Sequence, residues 1–96
     1  MRNRSPAVVF LTLLLAGCAG KGPVTPAMPA PDSPAALLFV NRCGVCHAAP
    51  HPARYDFAAW CYVVPVMEQH MAARGMRMLT ADEKAVILAY LQEYAR

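Results

Sequence analysis

The sequence predicts an all-α fold: a compact domain of three to four helices over residues 35–96, behind a proline-rich tether. Two stretches carry apolar residues at intervals of three and four, which is the spacing of one helix face. The first stretch contains Ala35, Leu38 and Phe39, and the second contains Val86, Ile87, Tyr90, Leu91 and Tyr94. A domain this short buries a modest core and usually needs a cofactor, metal or cross-link for stability.

The middle and last helices are marked by local signals. Thr80 and Glu83 have the spacing of a capping box, which predicts the start of the final helix. Residues 56–73 are expected to form another helix. We expect Pro65 to kink or interrupt that helix, because proline has no N–H and its ring clashes with the preceding turn.

Residues 1–17 have the layout of a cleaved signal peptide. Two arginines precede an apolar core that is too short to span a bilayer. The Leu-Ala-Gly-Cys sequence that ends at Cys18 resembles the lipobox of bacterial lipoproteins. That resemblance implies an acylated Cys18 as the mature N-terminus, anchored to a membrane through its lipid. Because Ala19 rather than Asp follows, it also implies the periplasmic face of the outer membrane rather than the inner membrane. The alternative is an ordinary secretory signal.

Residues 18–34 are predicted to be a disordered, extended linker. Five prolines in this stretch prevent a continuous helix or strand. Removal of the signal segment leaves seven basic side chains against six acidic ones. No basic stripe with interleaved aromatic residues remains, so the sequence does not support nucleic-acid binding.

The strongest motif is Cys43-Gly44-Val45-Cys46-His47, the C-x-x-C-H pattern of haem attachment. Two thiols three positions apart reach the two vinyl groups of a haem, and the adjacent His47 becomes the proximal ligand of the iron. The motif therefore predicts one covalent haem c. The alternatives are an oxidised dithiol or a zinc site, for which His51, Cys61 and His70 are the further candidate ligands.

The residues around the motif resemble small class I c-type cytochromes. A short helix over residues 35–42 runs directly into the motif, and a capped helix ends the chain. The resemblance implies that these two helices cross, with Phe39 against Tyr90 or Leu91. It also implies an electron carrier rather than an enzyme.

The second axial ligand is predicted to be Met67. The stretch from Trp60 to Met67 resembles a W-x-x-V-V-x-x-M pattern of compact single-haem domains, in which the final methionine lies on the distal side. Larger class I cytochromes take a methionine from the loop before the last helix, which makes Met76 the alternative. The remaining candidates are Met71, Met78, His51 and His70.

The expected partners are redox proteins, together with the membrane that holds the lipid anchor. Four arginines are candidates for a ring around the haem edge that attracts an acidic partner: Arg42, Arg54, Arg74 and Arg77. Cys61 is expected to be buried and inert. The alternative functions are a haem enzyme or gas-binding protein with an open sixth site, and a lipoprotein without haem.

Overall fold

The computed structural model describes residues 26–96, which form three α-helices and one turn of 3₁₀-helix. Helix α1 spans Pro34–Cys43, the 3₁₀ turn spans Pro52–Arg54, α2 spans Phe57–Ala73 and α3 spans Ala81–Tyr94. Residues 26–96 contain no β-strand. The predicted all-α fold is therefore confirmed.

Each α-helix begins at a side chain that caps its first turn. The Ser33 and Asp56 side chains accept hydrogen bonds from the backbone N–H groups of Ala36 and Ala59, at 3.2 and 2.8 Å. The predicted capping box is confirmed: Thr80 Oγ1 accepts from Glu83 N at 3.1 Å, and Glu83 Oε1 accepts from Thr80 N at 3.0 Å. These bonds satisfy N–H groups that have no partner within the helix.

Helix α2 ends in a Schellman motif. Gly75 has a φ of +66°, a left-handed conformation that glycine adopts without a Cβ clash. The Gly75 N–H donates to the Ala72 carbonyl at 3.1 Å, and the Met76 N–H donates to the Met71 carbonyl at 3.0 Å. The chain therefore turns sharply here, and the position of Met76 is fixed relative to the last turn of α2.

Helix α2 runs through Pro65 without a break, so the predicted interruption is wrong, whereas the alternative of a kink stays a prediction. Proline removes one backbone donor, which leaves the carbonyl of Cys61 without its helical partner. Both Cys61 and Pro65 are exposed, so water can hydrogen-bond the carbonyl that the proline leaves unpaired. The packing of the buried face on the other side holds the two halves in one helix.

The core forms where α1 and α2 pack against α3. The Phe39 ring lies at its centre, 5.6 Å from the Tyr90 centroid and 6.2 Å from the Trp60 centroid. The predicted contact between the first and last helices is thus confirmed for Phe39 and Tyr90. Val86 is 41% exposed, so it lies outside the predicted core face. The buried cluster comprises Ala36, Phe39, Trp60, Val64, Ile87, Tyr90 and Leu91.

The residues just before α1 contact the folded core. Tyr90 donates its hydroxyl hydrogen to the Pro29 carbonyl at 2.7 Å, and Met28 packs against the core cluster. The predicted signal peptide and Cys18 lie outside the described residues, and the proposed domain boundaries stay predictions. Within residues 26–96, no helix is both long and apolar enough to cross a membrane.

Candidate functional site

The C-x-x-C-H motif begins at the C-terminal end of α1. Cys43 is the last helical residue, and the Gly44 N–H donates to the Val40 carbonyl at 2.9 Å. A Cβ on Gly44 would lie 2.5 Å from that same carbonyl oxygen. The glycine therefore lets the motif turn tightly away from the helix. Cys46 and His47 follow on an exposed loop.

The His47 ring is held in the tautomer that metal binding requires. Its Nδ1 lies 3.0 Å from the Ala48 carbonyl oxygen. A carbonyl can only accept a hydrogen bond, so Nδ1 carries the proton and the Nε2 lone pair remains available. A backbone carbonyl on the second nitrogen is a common way to orient a ligating histidine.

The motif lines a cavity of about 760 Å³ that is enclosed mainly by apolar side chains. This volume lies in the range of sites for cofactors and small molecules. One face of α2 forms the wall: Trp60, Val63, Val64, Met67, His70, Met71 and Arg74. Their spacing of three and four was a signal in the sequence. No comparable signal marked Tyr55 or Leu79, which reach the cavity only through the packing of loops.

The structure brings both predicted methionine ligands to this cavity. Met67 lies in the middle of the α2 wall, and Met76 lines the cavity from the loop after the Schellman motif. Met71 also reaches the cavity but is 7% exposed and packed in the interior. Met78 does not line it. The choice between Met67 and Met76 stays a prediction.

The two further histidines also line the cavity. The His51 Nδ1 accepts a hydrogen bond from the Ala53 N–H at 3.0 Å, so the neutral ring carries its proton on Nε2. That tautomer is a donor and not a ligand through Nε2. His70 lies one turn from Met67 on the same helix face and is exposed.

Arginines are the charged residues that line the cavity. Arg42, Arg54 and Arg74 line it, and no Asp or Glu between residues 26 and 96 does so. The Arg74 Nη1 donates to the Cys46 Sγ at 3.4 Å, which places the end of α2 beside the motif. Arg42 pairs with Glu83, whose carboxylate lies 3.6 Å from the arginine Nε.

Glu83, in the first turn of α3, is bonded to Arg77 in the loop between α2 and α3. Arg77 donates to both of its carboxylate oxygens, at 2.8 and 3.1 Å. The hydrogen bond from Arg77, followed by that from the Thr80 backbone, lowers the pKa of Glu83 to about 2. The ionised carboxylate therefore also helps to hold Arg42, which donates a short hydrogen bond to the Arg77 carbonyl.

The three cysteines in the described part of the chain are free thiols. Burial raises the pKa of the Cys43 thiol, and the charge of Arg42 lowers it in part. Cys61 is exposed, so the prediction that it is buried is wrong. It lies on the side of α2 away from the core, next to Tyr62, which is 79% exposed. Among residues 26–96, no three His, Cys, Asp or Glu side chains converge as a metal site.

These residues fit a covalent haem. Two free thiols flank one turn, an imidazole offers Nε2 next to them, and an apolar cavity of sufficient size opens beside all three. Cys43, Cys46 and His47 would hold the group, and side chains of α2 would enclose it.

Comparison with known proteins agrees with this fit. The family model described as dihaem cytochrome c matches residues 39–96, more than half of the chain. Neither a curated protein nor a solved structure matches. The family description names two haems, whereas the sequence contains a single C-x-x-C-H. The count of one haem stays a prediction. The motif, the cavity and the family match together identify a c-type cytochrome with covalent haem c, and the chain belongs to the dihaem cytochrome c family.

Proposed function

We propose that this protein is a single-haem electron carrier, tethered by a lipid on Cys18 to the periplasmic face of the outer membrane. The observation that carries the proposal is the cavity that joins the C-x-x-C-H motif to the apolar face of α2. The family match supports electron transfer as the class of function. When bound, the haem supplies reversible one-electron oxidation and reduction of its iron.

The motif residues attach and orient the group. Cys43 and Cys46 would hold the group through thioether bonds, one from each thiol to a vinyl group. His47 would bind the iron through Nε2, because its Nδ1–H is engaged by the Ala48 carbonyl. These three side chains would hold the cofactor against the end of α1.

Met67 is the proposed distal ligand. It lies near the middle of the α2 wall, with cavity-lining residues on the turns before and after it. Met67 also ends the W-x-x-V-V-x-x-M stretch, whose resemblance to compact single-haem domains implies a distal methionine at this position. Met76 lines the same cavity from the loop after the Schellman motif. Met76 remains the alternative.

The cavity would shield a haem from water on one side and leave it more accessible on the other. Phe39, Trp60 and Val64 are buried along the inner wall. On the motif side Val45 is 62% exposed, and Cys46 and His47 are exposed as well. The motif side is the proposed contact for a redox partner, and the charge of Arg74 beside Cys46 favours an acidic one. Weak redox encounters use small contact areas of this kind.

The test is to express the full chain in bacteria together with haem-maturation machinery. Mass spectrometry of the mature protein should show the mass of one haem and of acyl chains on Cys18. Membrane fractionation should place the wild type with the outer membrane and a Cys18→Ser variant in the soluble fraction. Two haems per chain would refute the single-haem proposal, and no added haem mass would refute the function itself.

The distal ligand is tested with a matched pair of variants. Met67→Ala should abolish the long-wavelength absorption band of methionine-ligated ferric haem and let carbon monoxide bind the reduced protein. Met76→Ala should retain the band and exclude carbon monoxide. The reverse result would assign Met76. Carbon monoxide binding to the wild type would indicate an open sixth site, and hence the gas-binding or enzyme alternative.

A further inference from the structure

We propose that Arg54 is a positioning residue that binds the propionate carboxylates of the haem. This inference rests on the proposed function, since it presumes that haem occupies the cavity. It assigns a role to the 3₁₀ turn Pro52–Arg54, which neither the motif nor the family match explains.

The charged side chains that line the cavity are all cationic. Arg42, Arg54 and Arg74 line it without any carboxylate from residues 26–96. Bringing like charges together around an apolar space is unfavourable unless an anion joins them. The two propionates of a haem are the anions that this cavity lacks.

Arg42 and Arg74 already have partners, whereas Arg54 has no carboxylate partner among the described residues. Arg42 pairs with Glu83 and donates to the Arg77 carbonyl. Arg74 donates to the Cys46 sulfur at 3.4 Å. Across residues 26–96, Arg54 has no carboxylate within ion-pair distance, and its guanidinium carbon lies 5.7 Å from the centroid of the Tyr55 ring. The planar guanidinium is therefore available for a bidentate bond to a carboxylate.

The 3₁₀ turn and Cys46 contact α2 near its two different ends. Arg74, at the C-terminal end of the helix, contacts the motif through Cys46. Trp60, in the first turn, donates to the Pro52 carbonyl at 2.7 Å and has its ring 5.1 Å from that of Tyr55. With a rise of about 1.5 Å per residue, Trp60 and Arg74 lie about 21 Å apart along the axis. Arg54 therefore lines the cavity from the N-terminal end of α2, away from the Arg74 contact to Cys46.

These positions match the asymmetry of the cofactor. Thioether bonds to Cys43 and Cys46 hold the vinyl side of the ring at the motif. The propionates are carried on the other side of the porphyrin and would point away from Cys46, toward the N-terminal end of α2, where Arg54 lines the cavity. Arg54 binds them there, and the bond between Trp60 and Pro52 holds the 3₁₀ turn in place for it.

The experiment compares holoproteins of the wild type, Arg54→Gln, Arg54→Lys and Arg74→Gln. Resonance Raman spectroscopy reads the propionate bending band, and a redox titration reads the reduction potential. Arg54→Gln should shift the band and lower the potential, because a cation that favours the reduced haem is lost. Arg54→Lys should restore most of the potential. Arg74→Gln removes the same charge at the motif end and should leave the band unchanged.

The outcomes separate this inference from the proposed function. If the wild type carries no haem, the function fails. If haem is attached in every variant and the band is the same in Arg54→Gln as in the wild type, the inference fails while the function stands. A band shift in Arg74→Gln alone would place the propionates at the motif end and would also overturn it. Arg54 is exposed, so a circular dichroism spectrum equal to that of the wild type is expected for both of its variants.

Discussion

The stability of the domain depends on Phe39, and replacing it with alanine tests that dependence. The ring is 1% exposed and lies between the rings of Tyr90 and Trp60, at centroid distances of 5.6 and 6.2 Å. Phenylalanine-to-alanine changes at buried sites cost about 3–5 kcal/mol, and each aromatic pair adds about 0.5–1.5 kcal/mol beyond its buried area. With two such pairs lost, we expect Phe39→Ala to lower the free energy of unfolding of the holoprotein by about 4 kcal/mol.

This loss is large for a small domain, whose total stability is about 5–15 kcal/mol. At about 4–8 °C per kcal/mol, the melting temperature should fall by about 16 °C or more. Urea unfolding followed by far-ultraviolet circular dichroism measures the change. The matched control is Leu37→Ala on the same helix, where the side chain is 49% exposed and the expected change is below about 0.5 kcal/mol. Equal losses in the two variants, or a loss below about 1 kcal/mol for Phe39→Ala, would refute the packing argument.

Two further predictions concern Glu83 and Cys61. The folded state lowers the Glu83 pKa from 4.5 to about 2, so its contribution to stability is present above pH 4.5 and is lost as the pH falls toward 2. Glu83→Gln should therefore destabilise the protein at pH 7 and have less effect at pH 2, as measured by urea unfolding at both values. The exposed Cys61 thiol should react with iodoacetamide in the folded holoprotein, at a rate close to that of the urea-unfolded chain.

Each of these predictions has its own control. The control for Glu83 is Asp82→Asn. Asp82 precedes Glu83 on α3, and its side chain forms none of the hydrogen bonds or ion pairs of the described residues. The substitution should therefore change the free energy of unfolding little at either pH. If Glu83→Gln lowered the free energy of unfolding equally at pH 7 and pH 2, the proposed dependence of stability on the ionised Glu83 carboxylate would be contradicted. For the thiol, Cys61→Ser should abolish the labelling. Protection of Cys61 in the folded wild type would show that this face of α2 is covered.

Local signals in the sequence were enough for several elements. The capping box at Thr80 and Glu83 and the apolar spacing around Phe39 and Tyr90 correctly predicted two helices. Helices depend on hydrogen bonds and side-chain spacing within a few residues, so the local sequence contains the necessary information. The contact between Phe39 and Tyr90 joins distant parts of the chain, and it was predicted from the resemblance to class I cytochromes rather than from the spacing. Two predictions failed: that Pro65 interrupts its helix, and that Cys61 is buried. Both outcomes depend on how the whole of α2 packs against the rest of the domain, which the local sequence does not show.

The sequence by itself determined the chemistry: a C-x-x-C-H motif and an all-α domain to carry it. The tertiary structure alone decided which distant residues share the cavity with that motif. It placed Arg74 beside Cys46 and the 3₁₀ turn with Arg54 against the first turn of α2, although Arg54 is the closer of the two arginines to the motif in sequence. The reason is physical: a covalent motif is contiguous in the chain, whereas a cavity is formed by helices whose relative positions depend on long-range packing.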